Sequence, residues 1–114
     1  MNKLDFVKQF KWDFLNIGFI LLTLPLFLFN LGGYSLVDFD EAWFAEVART
    51  ILHTGNFLTL TFNNQSFTEH PPLGFILIAI SFKLFGINEF AARIPEALGG
   101  FGSLIILYFI GKKL

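Results

Sequence analysis

The 114-residue chain has no cysteine, one methionine and four prolines, and only 15% of its residues are charged. Without cysteine, neither a disulfide frame nor a thiolate metal site can form, and the redox compartment stays open. A net charge of −1 and the lack of a basic stripe exclude the electrostatic footprint of a nucleic-acid binder. No glycine-rich loop lies between a strand pattern and a helix pattern, which argues against a conventional soluble nucleotide-sugar enzyme. Internal repeats are also missing. What the chain has in excess is apolar surface: 54% of residues are hydrophobic and phenylalanine occupies 17 positions. Too little polar surface remains to coat a soluble domain, so the composition is that of a membrane protein.

Two stretches suit a bilayer. No charged residue lies between Phe14 and Val37, and that run exceeds the ~20 residues a crossing needs; a first transmembrane helix is expected over 14–37. Pro25 is tolerable there because neighbouring helices or water can satisfy the carbonyl it frees. A cleaved signal peptide fits less well, since the run is long and Leu31-Gly32-Gly33-Tyr34-Ser35 is a poor cleavage site. The second span is expected over 94–111, with Glu96 its only charge. Lys3, Lys8 and Lys11 precede the first span and Lys112-Lys113 close the second. The positive-inside rule then puts both ends in the cytoplasm and residues 38–93 outside.

The outer segment has its own order. Asp38 and Glu41 stand at capping-box spacing, and Trp43, Phe44, Val47, Ala48, Ile51 and Leu52 recur at helical intervals. An amphipathic helix over about 39–54 follows, with Glu46, Arg49, Thr50 and His53 on its wetter side and Gly55 as its stop. From Phe57 the period changes to two, Asn63-Asn64 offers a turn, and a short hairpin closes near Phe67. Pro71-Pro72 open a further apolar helix over 71–85. Its uncharged run of about a dozen residues is too short to cross a bilayer, so it is expected at the outer interface. The expected fold class is therefore an all-α membrane protein: two transmembrane helices joined by an outer loop with two interfacial helices and a short hairpin.

Ionisable groups at a membrane edge are costly unless they pair or do chemistry, which makes Asp40 and Glu41 a candidate site. Each also has a plain structural reading. First-turn carboxylates suit a helix dipole, His70 can be a solvated loop residue, Arg93 an interfacial anchor and Lys83 a snorkelling side chain.

The order of the motifs adds information. Asp40-Glu41-Ala42-Trp43-Phe44-Ala45-Glu46-Val47-Ala48-Arg49 is followed by Thr54-Gly55-Asn56-Phe57, then Glu69-His70-Pro71-Pro72-Leu73, then Leu84-Phe85-Gly86-Ile87-Asn88-Glu89-Phe90-Ala91-Ala92-Arg93-Ile94-Pro95. This succession resembles the start of the polyprenyl-phosphate-sugar-dependent glycosyltransferases of C-type fold, which include protein O-mannosyltransferases and lipid A aminoarabinose transferases. The resemblance spans roughly residues 15 to 114. It implies that Asp40 and Glu41 are the catalytic acidic pair, with Asp40 the base that deprotonates the acceptor. Glu69-His70-Pro71 matches the family's glutamate-basic-proline element, whose basic residue lies near the donor phosphate. Here histidine stands where the bacterial lipid A branch usually has lysine, while the protein mannosyltransferases carry His-Pro-Pro-Leu, so the acceptor class stays open. Arg93 matches the arginine that opens the second span, near the site or structuring the loop.

A sugar on a polyprenyl phosphate already carries a good leaving group. The enzyme must position an acceptor hydroxyl, take its proton and stabilise the departing phosphate. The expectation is an inverting transfer with Asp40 and Glu41 catalytic, and Glu69, His70, Arg93 and Lys83 binding substrate or phosphate. The expected partners are the bilayer, the polyprenyl phosphate sugar and a lipid, glycan or protein acceptor. No cofactor is expected, and no metal, since no tight ligand spacing supports one. The family's enzymes have many more membrane helices, so the chain is expected to be the N-terminal part of a larger transferase, inactive alone, in the inner membrane. The alternative is a non-enzymatic two-span subunit whose outer loop docks on a partner.

Overall fold

The computed structural model describes residues 3–36 and 39–114, with side chains from residue 11 onward. The elements in order are α1 (Lys3–Leu28), α2 (Phe39–Thr54), β1 (Leu60–Phe62), β2 (Gln65–Phe67), α3 (Leu73–Phe85) and α4 (Glu89–Lys113). The chain packs as two compact units, one made of α1 with the Leu98–Leu114 part of α4, the other running from Asn30 to Ala97. Asp38, expected as the α2 cap, lies outside the described residues.

The first unit holds apolar helix with almost no core. Lys11–Leu28 of α1 and the helix α4 are long and apolar enough to cross a membrane, and within this unit Phe101 is the one buried side chain among the described residues. Large side chains such as Phe19, Leu22 and Leu107 are open, as expected where lipid is the solvent. Contact within the unit is local. Phe27 meets Phe101 edge-on at 5.9 Å, and Gly100 leaves room for the Phe27 ring, which a β-carbon would approach to 3.1 Å. Asp13 accepts hydrogen bonds from the Tyr108 hydroxyl and from Lys112.

Both spans have different limits from those expected. α1 stops at Leu28 rather than running to Val37. Asn30 turns into the left-handed region at φ 56°, and the Gly33 N–H bonds back to the Asn30 carbonyl at 3.1 Å. Absence of charge had extended the span, but lack of charge does not make helix where asparagine and two glycines favour a turn. α4 begins at Glu89 rather than Ile94. Asn88 is its cap: its side-chain oxygen accepts from the Ala91 N–H at 2.8 Å, satisfying one of the donors every helix start leaves open.

The second unit has a true core. α2 buries Val47, Ala48 and Ile51 and leaves Glu46, Arg49 and His53 open. The facing side of α3 supplies Phe75, Ile78, Ala79 and Phe82, and β1 adds Leu60. Gly55, at φ 68°, ends α2 by donating its N–H to the Ile51 carbonyl at 2.8 Å. The Asn56 side chain then accepts from the N–H groups of Leu58 and Thr59, both at 3.1 Å, and turns the chain toward β1. β1 and β2 pair antiparallel with Leu60 opposite Phe67 and Phe62 opposite Gln65. Asn63 and Asn64 join them at φ 50° and 64°, the double left-handed step that matches strand twist in a two-residue hairpin. α3 has 13 residues, about 20 Å of helix against the ~30 Å of a hydrocarbon core.

A buried hydrogen bond joins α3 to the start of α4. Pro95 lies inside α4 and has no N–H, so the Ala91 carbonyl four residues earlier loses its helical partner. The Ser81 hydroxyl, buried on α3, donates to that carbonyl at 2.6 Å. The proline creates a vacant acceptor and the serine fills it, as burial requires.

Candidate functional site

Arg93 makes more side-chain hydrogen bonds than any other of the described residues. It lies one turn past the cap of α4 with its side chain only 7% exposed. Its Nε donates to Glu41 Oε1 at 2.9 Å and its Nη2 to Glu41 Oε2 at 3.0 Å. The remaining donors go to the loop that follows α1: Nη1 to the carbonyls of Leu31 at 2.6 Å and Tyr34 at 2.9 Å, and Nη2 to that of Ser35 at 3.2 Å. The Tyr34 ring sits 4.2 Å from the guanidinium carbon, close enough for a cation–π contact. The hydrogen bond from Arg93 holds the Glu41 carboxyl below the usual glutamate range; burial opposes the shift and the nearby positive charge adds to it. Glu41 is thus an ionised, two-point partner of Arg93.

Asp40 has a different setting. It lies in the first turn of α2, exposed, with no hydrogen bond or ion pair among the described residues. Helical spacing puts it on the side of α2 that carries Trp43 and Phe44, three and four residues on. His70 packs against that pair, its ring centroid 5.2 Å from Trp43 and 6.4 Å from Phe44. Phe67 and Phe75 complete the aromatic surround at 6.4 and 6.5 Å. The two carboxylates of the acidic pair are therefore divided by one helical step: Glu41 meets Arg93, while Asp40 shares a helix side with the rings on which His70 rests.

The other expected site residues are not gathered here. Glu69 and Lys83 are exposed and make no ion pair among the described residues. His70 packs in the aromatic cluster and is not among the hydrogen-bond partners of Arg93. Among the described residues, no group of three His, Asp or Glu side chains is placed to hold a metal ion. Ser81, Asn88 and the three loop carbonyls were not singled out from sequence. For Ser81 the usable signal was Pro95, since a proline inside a helix asks for a donor elsewhere.

The comparisons with known proteins agree with the motif order. Residues 69–114 match the family described as dolichyl-phosphate-mannose-protein mannosyltransferase. Over those residues the chain is similar to that family. A Shewanella sediminis protein named undecaprenyl phosphate-alpha-4-amino-4-deoxy-L-arabinose arabinosyl transferase is 36% identical over 90 residues, covering 79% of this chain and 16% of that protein. A protein of the same name from Pseudomonas savastanoi pv. phaseolicola is 33% identical over 99 residues, covering 85% and 19%. An uncharacterized protein of Aquifex aeolicus is 34% identical over 93 residues, covering 82% and 22%. The chain spans about a fifth of the length of these relatives. No solved structure matches.

Proposed function

We propose that this chain is part of a membrane glycosyltransferase that moves a sugar from a polyprenyl phosphate to a hydroxyl group of a lipid, glycan or protein, inverting the anomeric carbon. The observation that carries the reading is the similarity, over about four-fifths of the chain, to proteins named as undecaprenyl phosphate-dependent arabinosyl transferases. The geometry of α2 supports it: one carboxylate of the acidic pair is bound by arginine, and the other is open. In this reading Asp40 takes the proton of the acceptor hydroxyl as its oxygen attacks the sugar, and the phosphate leaves with the bonding electron pair. His70, held by rings next to the Asp40 side of α2, and Lys83 are the groups offered to bind the departing phosphate. Glu69 helps bind the substrate. No resident metal or cofactor is needed, because the phosphate linkage already activates the sugar. Lysine placement supports a site on the extracytoplasmic face of a cell membrane, with both chain ends in the cytoplasm and α3 at the outer interface.

The test is transfer of labelled sugar by the whole protein from a panel of polyprenyl phosphate donors, in the wild type and in Asp40→Asn. Loss of a general base lowers the rate by about 10²- to 10⁴-fold. An Asp40→Asn protein that transfers at the wild-type rate rejects Asp40 as the base. A wild type that transfers no sugar from any donor rejects the transferase reading.

A further inference from the structure

We infer that Glu41 and Arg93 form a positioning clamp for Asp40 and that neither contacts the sugar or its phosphate, an inference that rests on the transferase reading above. The ground is a complete count of donors. A guanidinium carries five N–H groups, and Arg93 makes five hydrogen bonds: two to the Glu41 carboxylate and one each to the carbonyls of Leu31, Tyr34 and Ser35. No N–H is left for a phosphate oxygen. Recruiting one would break a bond already made in a nearly buried setting, and the abandoned acceptor would lose its partner.

Glu41 is equally committed. Both of its oxygens take an N–H from Arg93, the two-pronged geometry that fixes orientation as well as distance. A carboxylate so held, with its proton affinity lowered by the same contact, is a poor base and cannot turn to orient an acceptor. The acidic pair therefore divides its work: Asp40 is the reactive carboxylate and Glu41 the pin beside it.

What the clamp holds is the start of α2. The Leu31–Ser35 loop precedes that helix, Glu41 lies in its first turn, and Arg93 binds both from α4. Asp40 falls between the two points of attachment and is adjacent in sequence to one of them. Lysine cannot replace the arginine, because a single ammonium has three donors and no planar fork.

The test uses the whole protein in lipid nanodiscs with a polyprenyl phosphate sugar as donor. Arg93→Lys and Glu41→Gln each lower kcat by about 10- to 100-fold through misplacement of Asp40, while the donor KM stays within about threefold of wild type. Glu41→Gln keeps the acidic limb of the pH–rate profile, because Asp40 carries it. A donor KM that rises with kcat retained in Arg93→Lys makes Arg93 a phosphate ligand and overturns the clamp. Loss of the acidic limb in Glu41→Gln makes Glu41 the base and overturns it too.

A second arm needs no activity. Amide hydrogen exchange of the 31–36 peptide accelerates about tenfold in Arg93→Ala as the loop carbonyls are released. Glu41→Gln gives a smaller acceleration and serves if the alanine variant does not fold. Unchanged exchange overturns the clamp. If the wild type transfers no sugar, the transferase reading fails, and the exchange result still decides whether the clamp exists.

Discussion

The two units treat apolar side chains in opposite ways. In the first, Phe101 is the one buried side chain among the described residues and Phe19, Leu22 and Leu107 stand open; in the second, Phe75, Val47 and Ala48 are wholly enclosed and Ile51 is 1% exposed. Hydrophobicity alone does not distinguish these residues. The difference is where the apolar surface finds its partner: in lipid for the first unit, in the protein's own side chains for the second. Among the described residues the buried polar side chains, Ser81 and Arg93, both lie in the second, as does the acidic pair.

Truncation should break this contrast most sharply. Phe75→Ala is expected to destabilise the second unit by about 3–5 kcal/mol, as loss of a fully buried aromatic ring does, whereas Phe19→Ala in the first changes stability by less than about 0.5 kcal/mol. Urea unfolding in nanodiscs, followed by Trp43 emission in a Trp12→Phe background, measures both. Equal losses would mean that Phe19 has a protein partner and that the contrast is wrong.

A subtler intervention sharpens the account of the second unit. Ser81→Ala removes the donor to the Ala91 carbonyl and is expected to destabilise by about 1–3 kcal/mol, the range for a buried group left without its partner. Adding Pro95→Ala restores a backbone N–H to that carbonyl and recovers most of the loss. If the two changes are simply additive, Ser81 does not act through the proline.

The smallest effect expected is electrostatic. Arg93 lowers the proton affinity of Glu41 in the folded protein, so the folded carboxyl titrates below the unfolded one. Its contribution to stability is complete above the unfolded value and is lost as pH falls from there through the depressed folded value. Unfolding measured across a series of acidic pH values should show this loss in the wild type and a flatter profile in Glu41→Gln. Identical profiles would mean that Glu41 is not held by Arg93.

Much of the second unit was legible because its signals are local. The spacing of Trp43 to Leu52 marks one face of a helix, and Gly55 marks its end, since the positive φ there comes easily only to glycine. The limits of the spans were less legible. Charge-free sequence continues to Val37 although helix stops at Leu28, because the turn at Asn30 depends on backbone conformation and not on hydropathy. The site was legible as a set of residues but not as a grouping. Asp40 and Glu41 are neighbours in sequence, yet a helical step of about 100° sends them to different surroundings.

The order of motifs pointed to the family whose model residues 69–114 match, and composition determined that lipid would be the main solvent. Local patterning determined the helices and the Asn63-Asn64 turn. Tertiary structure alone decided that Arg93 would meet Glu41 rather than Asp40 and that Ser81 would answer Pro95. The pairs are 52 and 14 residues apart in sequence. Hydrogen-bond partners at such separations are chosen by which donors and acceptors burial leaves together without water, and no local pattern records that choice.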